Sequence, residues 1–225
     1  MMLFELCAET LEACLAAQEG GADRVELCAA LEVDGLTPSH TFIEQAVNCC
    51  EIPIHVMVRP HAESFHYNAS AFTTMCEEVE FIRSVGAAGV VLGVLLDSGA
   101  VDIERTRALV QLAHPLEVTF HRAFDATPDL GQALEDVIAA GCHRVLTSGG
   151  AADVVAGSAM LARLVTCASD RIAVAAGGGL RLYNAREVSR LTRAQHFHGS
   201  LPPEDSAPAS LAERVRVITR ILRGE

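Results

Sequence analysis

Short apolar runs alternate with amphipathic stretches from one end of the chain to the other. The runs are LFELCAE (3–9), RVELCA (24–29), IPIHVMVRP (52–60), GVVLGVL (89–95), LEVTFHR (116–122), RVLTSG (144–149), RIAVAAG (171–177) and HFHGS (196–200). Each is short and bounded by turn residues, which predicts a strand. Apolar residues then recur at helical spacing, as in Phe72, Met75, Val79, Ile82 and Val85. Thr10, Thr37, Asp102 and Thr127 are predicted N-caps, with Pro38 and Pro128 at the first helical position. GADRVEL, GAAGVVL and GCHRVLT repeat one junction: a glycine that caps a helix, two turn residues, then a strand. Eight such units of about 28 residues predict a single domain over 1–225. The fold class is α/β, a (β/α)8 TIM-type barrel with a parallel sheet, its final helix falling at about 208–223. A doubly wound open sheet fits less well, because no G-x-G-x-x-G follows the first strand.

Side chains alternate along a strand, so in a barrel one parity faces the helices and the other fills the interior. Phe4, Leu6, Val25, Leu27, Ile54, Val56, Val58, Val118 and Phe120 form the outward set. That leaves Glu5, Cys7, Glu9, Glu26, Cys28, His55, Met57, Arg59, Thr119 and His121 pointing inward or to the rim. Barrel interiors are usually filled by branched apolar residues. Buried charges need partners, so Glu5, Glu26, His55, Arg59 and His121 are candidate catalytic residues lining a pocket at the strand C-terminal ends. A self-satisfied structural network is the other reading of the same list.

Composition narrows the partners. About half of the 225 residues are apolar, and the formal net charge is −12. That balance argues against nucleic acid or an anionic membrane as the main partner; a metal ion or a small anionic molecule is the partner that the candidate site residues suggest. Glu5 and Glu9 interrupt the opening segment, so neither signal peptide nor membrane span is expected. The eight cysteines are scattered without a C-x-x-C, which fits free thiols in the cytoplasm.

Three segments fall where active-site loops belong. PHAESFHYNA, with His61, His66 and Tyr67, is long for a βα loop and suits a lid or an exposed polar loop. FHRAFD offers His121 as acid or base, with Arg122 and Asp125 at the rim. Glycine-rich turns close the last three strands, and backbone amides there are candidates for an anion site with Ser148, Gly149, Gly178, Gly199 and Ser200. Cys7 and Cys28 lie on adjacent strands roughly 5 Å apart, with Met57 next along. Soft sulfur suits Cu(I), with the two sulfurs about 4–5 Å apart for near-linear binding; small apolar filler is the competing role for buried cysteine.

These motifs resemble one family, the CutC copper-homeostasis proteins. The matching stretches are ELCAETLEACLAAQEGGADRVELCAAL (5–31), GLTPS (35–39), IPIHVMVRP (52–60), VTFHRAFD (118–125), RVLTSGG (144–150), GGG (177–179) and FHGS (197–200). The resemblance implies a TIM barrel, a cytoplasmic homo-oligomer, a link to copper tolerance, and Cys7 and Cys28 as Cu(I) ligands. Where the family continues after FHGS with Ala-Arg and a longer loop, this chain has Leu201, Pro202 and Pro203 and a short acidic link. The alternative function is a TIM-barrel enzyme acting on a small anionic or phosphorylated metabolite through the Glu/His/Arg cluster.

Overall fold

The computed structural model describes residues 2–203 and 210–225, and eight parallel strands close into one barrel. The strands are β1 (Leu3–Ala8), β2 (Arg24–Leu27), β3 (Ile54–Met57), β4 (Gly89–Leu92), β5 (Glu117–Phe120), β6 (Arg144–Thr147), β7 (Ala173–Gly177) and β8 (His196–Gly199). The helices are α1 (Leu11–Gly20), α2 (His40–Cys49), α3 (Ala69–Ser84), α4 (Ile103–Ala113), α5 (Leu130–Ala140), α6 (Ser158–Ala168), α7 (Ala185–Thr192) and α8 (Leu211–Arg223). β1 pairs with β8 through Phe4 and Phe197, which removes the open-sheet alternative. The acidic link after Pro203 lies outside the described residues.

The strands are shorter than the apolar runs that announce them, because the outer residues of each run leave the ladder to start a loop. Two helix starts also differ. Ser39 and Asp129 cap α2 and α5, so Pro38 and Pro128 precede the caps rather than opening the helices. The hydroxyl of Thr37 instead accepts the Arg59 N–H at 2.8 Å and ties two loops together. That of Thr127 donates to the Phe124 carbonyl. Thr10 and Asp102 cap α1 and α4 as expected.

Two cores result. The outer one packs Phe4, Leu6, Val25, Leu27, Val56 and Phe120 against the helices. Inside the barrel the apolar cluster is small: Cys7, Cys28, Met57 and Val91. Polar groups fill the rest. Arg24 and Arg144 reach inward from matching positions of two strands, and both meet Glu5. Arg24 Nε donates to Glu5 Oε2 in a short contact, Nη1 donates to Glu117 Oε2 at 3.0 Å, and Nη2 to Thr119 Oγ1 at 3.2 Å. Above them His198 Nδ1 sits 2.7 Å from Glu5 Oε1. Glu5 is thus a buried anion shared by two guanidinium groups and an imidazole.

Removing one partner of such a network leaves the others buried and uncompensated. Glu5→Ala is expected to lose about 3–5 kcal/mol of stability in urea denaturation. A loss under about 1 kcal/mol would mean that Arg24 and Arg144 find other partners at little cost.

Candidate functional site

At the C-terminal ends of the strands lies a cavity of about 480 Å³. Its floor is Cys7, Glu26, Met57 and His198; Arg59, Phe65 and His121 line it too, as do Gly178, Gly179, Gly199 and Ser200. The sequence-predicted charges therefore divide in two. Glu26, Arg59 and His121 border the cavity, whereas Glu5 and His55 are buried below it and do not. Glu9 lies exposed, its carboxylate accepting the Leu31 N–H at 2.7 Å.

His198 joins the two levels. Its Nδ1 faces Glu5, and its Nε2 lies 3.9 Å from Glu26 Oε1. Burial lowers its pKa, but Glu26 and Glu5 outweigh that and hold it above the ordinary 6.5. Burial pushes the Glu5 carboxyl up, and Arg24 with His198 reverses this, leaving it well below the usual carboxylate range. Glu26 goes the other way: burial raises its carboxyl, with Glu5 adding to the rise, and one of its oxygens has no partner.

Cys7 on this floor meets Cys28, which does not itself border the cavity. Cys7 Sγ is 3.3 Å from Cys28 Sγ and 3.4 Å from Glu26 Oε1. The separation is shorter than the expected 4–5 Å; the ladder sets Cys7 opposite Glu26, and Cys28 stands just past the end of β2. The Cys7 thiol is pushed well above 9.0 by its hydrogen bond with Cys28 and by burial. Ligand atoms of Cys7, Glu26 and His198 all lie within 4.8 Å of one another, a set able to hold a metal ion. With His198 bonded to Glu5 on its far side, it has the carboxylate–histidine arrangement typical of metal sites.

The glycine turns differ from one another. The Gly149 N–H donates to Thr147 Oγ1, and those of Ser148 and Gly150 donate to Asp125. Asp125 also pairs with Arg122 at 2.9 Å, so the anion held by the β6 turn is the chain's own carboxylate. Gly149 and Ser148 are thereby withdrawn from the expected anion set, while Gly178, Gly199 and Ser200 border the cavity. In the loop after β3, His61 and His66 do not line the cavity; Arg59 and Phe65 do.

Parity on β8 and at the starts of β2 and β6 would have exposed the residues not singled out from sequence. Arg24 shares the inward parity of Glu26, Arg144 holds the same place in the repeated glycine junction, and His198 alternates with the outward Phe197. Two glycines make room for imidazoles. A Cβ on Gly89 would stand 2.0 Å from His55 Nδ1, and one on Gly93 would stand 2.6 Å from the His121 ring.

Residues 2–202 match the CutC family. The chain belongs to the CutC family. It is 48% identical over 198 residues to the family protein CutC of Chromobacterium violaceum, covering 88% of this chain and 80% of that one. Among solved structures, CutC from Streptococcus agalactiae, described provisionally as a copper homeostasis protein, superposes with a TM-score of 0.84 at 30% identity. The match spans 89% of this chain and 99% of that one. A thiamine phosphate pyrophosphorylase from Pyrococcus furiosus superposes at 0.65 with 15% identity over 99% and 96% of the chains, and shares the fold alone. Among the described residues of this CutC chain, no helix is long and apolar enough to cross a membrane.

Two buried histidines set an expected pH dependence. Burial, with Arg24 beside one and Arg59 beside the other, lowers His55 and His121 to about 3. Unfolded, each titrates at its ordinary 6.5, so the unfolded chain binds more protons between those limits. Stability should fall as pH drops below 6.5, by up to about 1.4 kcal/mol per pH unit for each histidine. Glu26, raised, opposes this once pH nears its own range. His198, raised, is protonated in both states there and adds nothing; its contribution is lost only as pH rises above 6.5. Urea midpoints of wild type and His121→Gln measured from pH 7 to 5 check this: the variant should show the shallower loss, and parallel curves would contradict the neutral His121.

Proposed function

We propose that this CutC protein binds Cu(I) through Cys7 and Cys28, in the cytoplasm where the thiols stay reduced. The observation that carries the proposal is the 3.3 Å approach of two buried, free thiols, of which Cys7 borders the cavity. The donor chemistry fits: thiolate and thioether ligands select Cu(I), and Met57 belongs to the same buried cluster as the two cysteines. His198 Nε2 would add a ligand on the Cys7 side, where it groups with Cys7 and Glu26, and Glu5 fixes its ring from the other nitrogen. Bound copper would supply a soft cation to the floor of the cavity. The residues around it hold the thiols in position, and Glu26, with its raised pKa, can take up a thiol proton.

A second reading has its own observation. A cavity of about 480 Å³ is far larger than one ion needs, and it is lined by Glu26, Arg59, His121 and glycine turns. It suits an enzyme acting on a small anionic or phosphorylated metabolite, with Glu26 as the acid–base group.

Anaerobic titration with Cu(I) against a competing chelator tests the first reading. One ion per chain is expected, with affinity falling as pH falls because the thiols must lose protons. Cys28→Ser should abolish binding, and His198→Ala should weaken it about tenfold or more. If the Cys7→Ser/Cys28→Ser double variant binds as tightly as wild type, the barrel thiols are packing residues.

A further inference from the structure

The cavity wall built by β3, β5 and the loop 58–68 carries features that the thiol site leaves unused. Arg59 is 5% exposed, yet no carboxylate among the described residues forms an ion pair with it. Its two terminal nitrogens donate to the carbonyls of Val33, Gly35 and Ala62, at 2.6, 2.9 and 3.1 Å, and the buried, neutral Tyr67 hydroxyl stands beside it. Its Nε–H is buried with no acceptor. A buried cation without a counter-ion is costly, and an orphan buried donor adds to that cost.

His121 stands beside it with the same deficit. The Ala123 N–H donates to His121 Nδ1 at 3.1 Å, which fixes that nitrogen as an acceptor and puts the ring proton on Nε2. Nε2 is buried and has no partner. The Phe65 ring packs over both groups, 4.9 Å from the Arg59 guanidinium carbon and 5.1 Å from the His121 ring centre. All three residues line the cavity. One wall thus presents a full positive charge and two unanswered N–H donors, with a single aromatic ring covering them.

We infer that this wall is an oxyanion subsite, where a small organic ligand seats its carboxylate or phosphate on Arg59 Nε–H and His121 Nε2–H as Phe65 moves aside. One anion balances one guanidinium, and the neutral imidazole donates without adding charge. The subsite lies across the barrel from the β7 and β8 glycine turns, so a ligand held here extends over Glu26 toward them. The inference rests on the cavity being a ligand site, the second reading above. It does not depend on copper at the thiols.

Calorimetric titration of the full chain with inorganic phosphate and, separately, with acetate measures binding without requiring turnover. In parallel, nitrogen NMR follows His121 Nε2. Saturable one-site binding of at least one anion, with a shift at His121 Nε2, is expected, and the anion that saturates at lower concentration names the group. Arg59→Lys and His121→Phe should each weaken binding about tenfold or more. Glu135→Gln, which alters an exposed ion pair with Arg171 away from the cavity, should bind as wild type. Should Arg59→Lys fail to fold, His121→Phe decides the matter alone. Failure of both anions to saturate, or undiminished binding in either folded variant, would overturn the inference. A lack of any enzymatic activity would count against catalysis and leave the subsite standing.

Discussion

Withdrawing a carboxylate from water costs several kcal/mol, and the centre of this barrel carries one at Glu5. It is tolerated because Arg24 and Arg144 converge on it from two strands while His198 closes the third side. Everything above depends on that arrangement. His198 is oriented by Glu5, and through His198 the field of the floor reaches Glu26 and the thiol pair. The same network also explains why the interior needs so little apolar filling: salt and hydrogen bonds occupy the volume that Val and Ile fill in most barrels of this type.

Much of this was legible in the residues. Eight short runs with amphipathic spacers implied the barrel, and outward parity at Phe4, Leu6, Val25 and Phe120 placed Glu5, Glu26, His55, Arg59 and His121 inside. Parity, however, says nothing about depth. Glu5 and His55 share an inward face with Cys7 and Met57 but sit two residues lower, which is the difference between a sealed floor and an open cavity. Caps were misplaced at α2 and α5 for a similar reason. Thr37 and Thr127 have the right side chain, but the Thr37 hydroxyl is taken by the distant Arg59 N–H and that of Thr127 by the Phe124 carbonyl of its own turn.

The polar groups of the cavity fall into two kinds. Those of the floor satisfy one another in a chain running from Arg24 through Glu5 and His198 toward Glu26. Those of the β3 and β5 wall are fixed from behind by backbone groups, with one donor each left over. The floor groups are ion-paired to one another, although Glu26 keeps one oxygen without a partner. The wall groups border the cavity and have no ion-pair partner among the described residues, whereas His55, four residues before Arg59, is buried below it.

The Asp125 carboxylate has a consequence for how the rim behaves. It is held by the Ser148 and Gly150 amides, the Thr147 hydroxyl and Arg122. Because this anion is tethered to the chain, its local concentration is fixed by the turn that carries it, and dilution or competing salt does little to empty the nest. Residues 122–126 and the loop after β6 are therefore tied to each other through one carboxylate, so that this side of the cavity's rim is held by an internal ligand.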